Sequence, residues 1–243
     1  MSAAEINEHR GRVAVVTGGT GAIGAAIIER LSNAGAVVHS LDVQPSSVPG
    51  AYFHRADVSS ETAVDAAFGA IGESAGRIDY LVCCAAIYRP VRFLDLAFAD
   101  WQETLQTNLT GYFLCCRAAL RFMRRQKFGR IVLFSSMAAR TGGINVAHYA
   151  ASKGGVLGLA RSLAMESAAE NIRVNTVSPV ITDTPMSRAV LTDEEMESRK
   201  TRIPLDRVGS ASDMADACMF LLGDDSSYVL GQDLRVNGGS ALW

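Results

Sequence analysis

The chain of 243 residues is 49% hydrophobic and 20% charged, with a formal net charge of −2. That balance can build a sizeable core without disulfide or metal staples, and it excludes the strongly basic surface of a nucleic-acid binder. No uncharged apolar run reaches the roughly 18 residues of a membrane span, and the N-terminal MSAAEINEHRGR has no apolar core of the signal-peptide kind, so a soluble, cytoplasmic protein is expected.

Taken in chain order, RVAVVT (12–17) reads as a first strand. TGGTGAIG (17–24) follows and opens a helix through about Asn33, with Gly35 as its stop. AVVHSLD (36–42) and YFHRADV (52–58) read as strands, and a helix starts from Ser60. IDYLVCCAA (78–86) is a fourth strand, and one long amphipathic helix spans roughly 100–126. Its last turn carries Arg121, Arg124, Arg125 and, just beyond, Lys127, where cations suit the helix dipole. GRIVLFSS (129–136), a helix from about 149 to 169, and IRVNTVSP (172–179) come next. A helix near 212–222 and a short strand, QDLRVN (232–237), close the pattern.

Strand–helix alternation with near-continuous Val/Ile/Leu runs predicts an α/β protein. The expected architecture is one doubly wound (Rossmann) parallel sheet of about seven strands with helices on both faces, a single domain over 1–243. Residues 185–204 differ: they are charged, bounded by prolines, and carry a capping box at Thr192 and Glu195. They read as a helical lid over the carboxyl ends of the strands. The five cysteines, Cys83, Cys84, Cys115, Cys116 and Cys218, have no C-x-x-C spacing. In apolar runs they read as buried structural thiols, and no metal site is expected.

Four features carry chemistry. Strand, glycine loop and helix together form a pyrophosphate cradle, in which backbone N–H groups at a helix N-terminus face the phosphates. The loop fits G-x-G-x-x-G through Gly19, Gly21 and Gly24, or T-G-x-x-x-G-x-G through Gly18 and Gly24 with Ala22 in the middle glycine slot. Asp42 ends the second strand, where a carboxylate can accept from both adenosine ribose hydroxyls and repel a 2′-phosphate. Gly19, Thr20, Leu41 and Val43 bring no Arg or Lys beside it, which favours NAD over NADP. Tyr149 and Lys153 are an i, i+4 pair on one helix face. An ammonium there lowers a phenol from its usual pKa near 10 toward a usable general base. A surface Tyr–Lys pair has the same spacing. Ser135 and Ser136 end a strand at the carboxyl edge, and Asn108 sits mid-helix, an odd place for a poor helix former.

With these pieces in order, the chain resembles the short-chain dehydrogenase/reductase family over residues 12–239. The matching pieces are the glycine loop, ADV (56–58), LVCCAA (81–86), NLTGYF (108–113), GRIVLFSS, YAASK (149–153), IRVNTVSP and the C-terminal segment from LDRVG to RVNGG. The serine at the family's interval from the tyrosine is Ser136. The resemblance implies that Tyr149 is the base in alcohol oxidation and the acid in carbonyl reduction. It implies that Ser136 polarises the substrate oxygen, and that Lys153 lowers the tyrosine pKa and binds the nicotinamide ribose. Asn108 would anchor a proton-relay water. Gly18, Gly21, Ala22, Ile23, Gly24, Asp42, Asp57, Val58, Cys84, Ala85, Pro179 and Thr184 would line the cofactor, Asp57 and Val58 at adenine and Thr184 at the carboxamide. A homotetramer is implied too, and the terminal ALW suits burial at such an interface.

The chain departs from the family pattern at three places. Cys83-Cys84-Ala85-Ala86 replaces N-N-A-G, so polar contacts between strands must be made otherwise. Val180 replaces a glycine after Pro179 and would put bulk near the nicotinamide, and Ala22 adds a methyl to the loop. Ala22 is expected at a negative φ, in the helix, where a Cβ is allowed. The reading is an NAD-dependent enzyme interconverting a secondary alcohol and a ketone. An NAD-retaining epimerase or dehydratase, and a non-catalytic cofactor-binding protein, are the alternatives. Ile87, Tyr88, Ala138, Arg140, Ile144, His148, Val180 and Met186 are candidate substrate walls. Their mostly apolar character favours a hydrophobic or cyclic alcohol, unless Arg140 or Arg89 clamps a carboxylate.

Overall fold

The structure, a computed structural model, describes residues 9–45 and 48–242. Most of the N-terminal segment read for a signal peptide, and Trp243, lie outside them. In chain order the elements are β1 (Val13–Thr17), α1 (Ala22–Asn33), β2 (Val37–Asp42), β3 (Ala51–Arg55), α2 (Glu61–Ala75) and β4 (Tyr80–Cys83). Next come α3 (Phe98–Leu105), α4 (Gly111–Gln126), β5 (Gly129–Phe134), α5 (Ala138–Thr141), α6 (Ala147–Ser167) and β6 (Ile172–Pro179). The chain continues through α7 (Pro185–Arg188), α8 (Asp193–Lys200), α9 (Ala211–Leu222) and β7 (Asp233–Val236).

The strands form one seven-stranded sheet in the order β3-β2-β1-β4-β5-β6-β7, with every pairing parallel. Alternate residues feed two separate cores, as the continuous apolar runs require. Val13, Val15, Leu81, Cys83, Ile131 and Leu133 face α2, α4 and α6. Ala14, Val16, Val82, Val132 and Phe134 face α1 and α9. The strand order turns back between β1 and β4, so a crevice opens there at the carboxyl edge, the usual ligand position in such sheets.

Several expected elements are shorter or interrupted; the fifth strand ends at Phe134, before Ser135 and Ser136, and the last spans only Asp233–Val236. The fourth strand stops at Cys83, not residue 86. At Cys83 the strand reaches Thr17, the last residue of β1, and Leu133; beyond it β1 has turned into the glycine loop and β5 continues for one residue, Phe134. The segment after Cys83 is tied down instead by Cys84 N–H to Thr17 O (3.2 Å) and Ala85 N–H to Thr17 Oγ1 (3.3 Å). The third strand ends at Arg55 and leaves Asp57 and Val58 in a loop. The long helix is broken into α3 and α4 by a π-helical turn, Gln106–Thr110, in which Gly111 N–H reaches back to Gln106 O.

Candidate active site

The glycine loop is shaped by close approaches. Gly18 has φ +69°, and a Cβ there would lie 2.7 Å from Ala85 N. A Cβ on Gly24 would lie 2.2 Å from Gly18 O, so α1 is seated directly on the loop. Gly21 is the N-cap of α1 with φ −70°, and Ala22 is the first helical residue, not among the positive-φ positions. The methyl of Ala22 is therefore accommodated as expected. No side chain caps this N-terminus, which leaves its first N–H groups facing outward for an anion. One part of the loop reading is corrected. Gly19, which the T-G frame leaves as a free position, has no room for a side chain: its Cβ would lie 2.1 Å from Ser40 Oγ. The G-x-G-x-x-G match is thus only partly coincidental.

Asp42 is the hinge between loop and sheet. One carboxylate oxygen accepts from Thr20 N–H (3.1 Å) and Thr20 Oγ1 (2.8 Å), the other from Gln44 N–H (3.1 Å). As read from the sequence, Gly19, Thr20, Leu41 and Val43 bring no Arg or Lys to Asp42; the neighbouring strand does bring one into register with it. Arg55, exposed on β3, is its register partner across the sheet. The sequence neighbours could not show it, because β3 is 13 residues away. In the loop after β3, Asp57 accepts from Ser59 N–H and Oγ at 2.8 and 2.7 Å. Val58 packs against Gly111 at the start of α4.

The four residues singled out for proton transfer converge at the carboxyl edge. Ser136 follows β5, its Oγ accepting from Ala138 N–H (3.2 Å), while Tyr149 and Lys153 project from the first turns of α6. Ser135 is turned away, its hydroxyl donating to Lys153 O at 2.9 Å. Asn108, wholly buried, grips the main chain of Ile87: Oδ1 accepts from its N–H (2.8 Å) and Nδ2 donates to its C=O (3.0 Å). Nδ2 also reaches Ser152 Oγ at 3.3 Å. The wide turn at 106–110 places this amide inward, between the loop after β4 and α6.

One expected effect is reversed. Burial pushes the Tyr149 phenol up to about 12, against the pull of the Ser136 hydrogen bond, with Tyr88 adding to the rise. Lys153 does not lower it in this geometry. Its ammonium lies 5.7 Å from the Tyr149 ring centre and donates instead to Phe134 O (2.8 Å) and Tyr112 Oη (3.3 Å). Burial lowers the Lys153 ammonium to about 8. Tyr149 is therefore protonated at neutral pH, ready to act as an acid.

The wall residues divide. Tyr88 stands edge-on to Tyr149 with ring centres 4.9 Å apart, and Ile144 and Met186 are exposed. His148 is buried and bonds Arg89 O through Nε2 (3.0 Å), so it holds the loop. Neither arginine is a free clamp: Arg89 pairs with Glu103 (2.6 Å) and Arg140 with Asp233 (2.9 Å). Val180 lines an apolar cavity of ≈ 150 Å³ with Ile203, Leu205, Met214 and Val236, to which none of the four proton-transfer residues contributes. Thr184 caps α7 in a capping box with Ser187. The box expected at Thr192 and Glu195 forms, and another joins Ser210 to Asp213.

A switch-point crevice, an uncapped glycine turn and a Ser–Tyr–Lys cluster define a Rossmann-type oxidoreductase that works with a nicotinamide dinucleotide. The chain belongs to the short-chain dehydrogenase/reductase family. A family model described as Enoyl-(Acyl carrier protein) reductase matches residues 18–241. The 3-oxoacyl-[acyl-carrier-protein] reductase FabG of Aquifex aeolicus is 37% identical over 242 residues, covering 95% of this chain and 97% of that protein. The ligand-free aldohexose dehydrogenase of Thermoplasma acidophilum superposes with a TM-score of 0.92 at 29% identity, over 96% of this chain and 94% of that one. A short-chain dehydrogenase/reductase from Brucella melitensis, described as a glucose/ribitol dehydrogenase, gives 0.90 at 34% identity, over 97% and 99%. Among the described residues no helix is long and apolar enough to cross a membrane, and no His/Cys/Asp/Glu cluster could hold a metal ion.

Proposed function

We propose that this protein reduces a ketone to a secondary alcohol, and catalyses the reverse, with NAD(H) as the preferred cofactor. The observation that carries the reading is the Tyr149 phenol with Lys153 on the same helix face and Ser136 just beyond β5, at the carboxyl edge of a sheet whose first strand runs into an uncapped glycine turn. The residues present fit a dinucleotide. The cradle has no space for side chains at Gly18 and Gly24, and the α1 N-terminus offers uncapped N–H groups to the pyrophosphate. Gly21, Ala22, Ile23, Cys84, Ala85, Asp57, Val58, Pro179 and Thr184 would line the rest of the cofactor, with Asp42 on the adenosine ribose. Bound there, the nicotinamide supplies or takes the hydride.

In reduction, the Ser136 hydroxyl donates to the carbonyl oxygen and the Tyr149 phenol delivers its proton to that oxygen. In oxidation, the proton returns to Tyr149. The phenolate left after delivery would be stabilised once the Lys153 ammonium, 5.7 Å from the ring centre in this geometry, closes on it. Lys153 would also bind the nicotinamide ribose hydroxyls, and Asn108 holds the main chain of Ile87 and reaches Ser152 on α6. Residues 185–204 act as the lid. A homotetramer and a reducing, cytoplasmic setting complete the proposal, the latter supported by five unpaired cysteines.

Two substrate classes are carried forward. The curated relative's name points to a 3-oxoacyl thioester, while the apolar candidate walls Tyr88, Ile144 and Met186 also suit a cyclic secondary alcohol. The test is NADH oxidation with acetoacetyl-CoA set against NAD reduction with a panel of cyclic alcohols. Tyr149→Phe should lose nearly all turnover in whichever assay the wild type passes. A Tyr149→Phe protein with near-full activity would overturn the mechanism. Arg55, the register partner of Asp42 on β3, favours a second cofactor reading, in which its guanidinium donates to a 2′-phosphate; NADPH preferred over NADH would establish it.

A further inference from the structure

Lys153 is 1% exposed, and a buried ammonium needs acceptors for its three N–H bonds. Two acceptors meet it: Phe134 O at 2.8 Å, which is main chain, and Tyr112 Oη at 3.3 Å, which is a side chain. Tyr112, also 1% exposed, projects from the first turn of α4, and its ring centre lies 4.9 Å from Nζ. Its ring and hydroxyl therefore both meet the cation, a combination that stabilises positive charge away from water. The other titratable groups facing Lys153 are Tyr149 on its own helix, the Cys83 thiol at the end of β4 and the Cys84 thiol just after it. Neither thiol carries charge at neutral pH, because burial pushes both well up.

We propose that Tyr112 is a positioning residue for the reaction: its hydroxyl and ring hold the Lys153 ammonium charged and aimed beneath Tyr149. This rests on the Ser136–Tyr149–Lys153 reading above. It adds a residue from the opposite side of the site and a reason for a buried phenol that touches no substrate. It also answers one departure from the family pattern, since Tyr112 brings a polar atom to the place where the β4 end offers only thiols.

Two measurements test it. In the first, kcat/KM for ketone reduction is followed against pH in wild type and Tyr112→Phe. Loss of the acceptor favours neutral Lys153, so the alkaline fall in activity should move to lower pH by about one unit, the scale of one lost hydrogen bond to a charged group. Superimposable profiles would overturn the proposal. In the second, thermal unfolding is compared for wild type, Tyr112→Phe, Lys153→Met and the double variant. A hydroxyl that acts through Lys153 should matter to Tm only while the lysine is present, so Lys153→Met should rescue Tyr112→Phe. Additive losses of Tm would overturn the proposal even where the single variant folds too poorly to assay. The melting cycle needs no turnover, so failure of the proposed chemistry, seen as a fully active Lys153→Met protein, is distinguishable from failure of the Tyr112–Lys153 link.

Discussion

Replacing Gly19 by alanine places a methyl carbon 2.1 Å from Ser40 Oγ, 2.9 Å from Ile28 Cδ1 and 3.1 Å from Ser40 Cβ. Ser40 is fixed on β2 and 1% exposed, and its hydroxyl has no hydrogen-bond partner among the described residues. Ile28 is fully buried in the core beneath α1. Overpacking a well-packed site costs about 1–3 kcal/mol, and two contacts under 3 Å put this one at about 2–3 kcal/mol. For a chain of this size that corresponds to a Tm lower by roughly 4–12 °C. Ser40→Ala removes the shortest contact and leaves the Cβ contact. Alone it should be near neutral, and in the double variant it should recover about half of the loss. The assay is thermal unfolding of the four proteins, with NADH binding followed by fluorescence. A Gly19→Ala protein melting within ~1 °C of wild type would refute the packing argument. So would a Ser40→Ala change that recovers nothing.

Asn108→Ala leaves both Ile87 main-chain groups without their partner, a loss of about 2–4 kcal/mol from two buried hydrogen bonds. Urea unfolding should show it, and an unchanged midpoint would mean that the wide turn does not depend on this amide. His39 is held neutral by burial and by the facing His54, which lower its pKa from 6.5 to about 4. The folded value lies below the unfolded one, so stability is full above about pH 6.5. It declines toward pH 4 by at most about 3 kcal/mol. His39→Gln should flatten the urea midpoint between about pH 7 and 4; an equally steep decline in both proteins would assign the acid sensitivity elsewhere. Asp42→Ala removes the acceptor of Thr20 and should cut the NADH:NADPH ratio of kcat/KM by about tenfold or more, the equivalent of ~1.4 kcal/mol. An unchanged ratio would show that Asp42 serves the loop and not the ribose.

The sheet was legible because buried parallel strands leave uninterrupted apolar runs, and Val13 to Val16 or Ile131 to Phe134 have no other use in water. Strand ends were less so. Cys84 and Ala85 are as apolar as the strand before them, and β4 ends where β1 has turned into the glycine loop. The wide turn at 106–110 has the same periodicity as an α-helix, so Asn108 stood out by its poor propensity and not by its geometry. Tyrosine and lysine were readable from spacing, since i and i+4 fix a helical face whatever the fold, whereas Ser136 was told from Ser135 only by the resemblance to the family. What Lys153 touches was not readable, because Tyr112 and Phe134 come from elements that only tertiary packing brings together. Long-range pairing likewise hid Arg55 beside Asp42 and tied Arg140 to Asp233. The clash between Gly19 and Ser40 crosses from loop to strand and leaves no mark in a motif.

The π turn has a consequence for how this chain tolerates change. One extra residue inside a regular helix rotates everything after it by about 100°, which would swing an inward face to the outside. Here the wide turn absorbs that residue. Upstream, Thr104 is buried in phase with α3; downstream, Tyr112, Cys115, Cys116, Ala119 and Met123 stay in phase with the sheet. The two helices behave as screws of independent pitch joined by a slipping collar, and Asn108 is set in the collar. Sequence drift on the outer face of α3 need not be matched by drift in α4, and the loop that Asn108 grips keeps its position while either helix is remodelled.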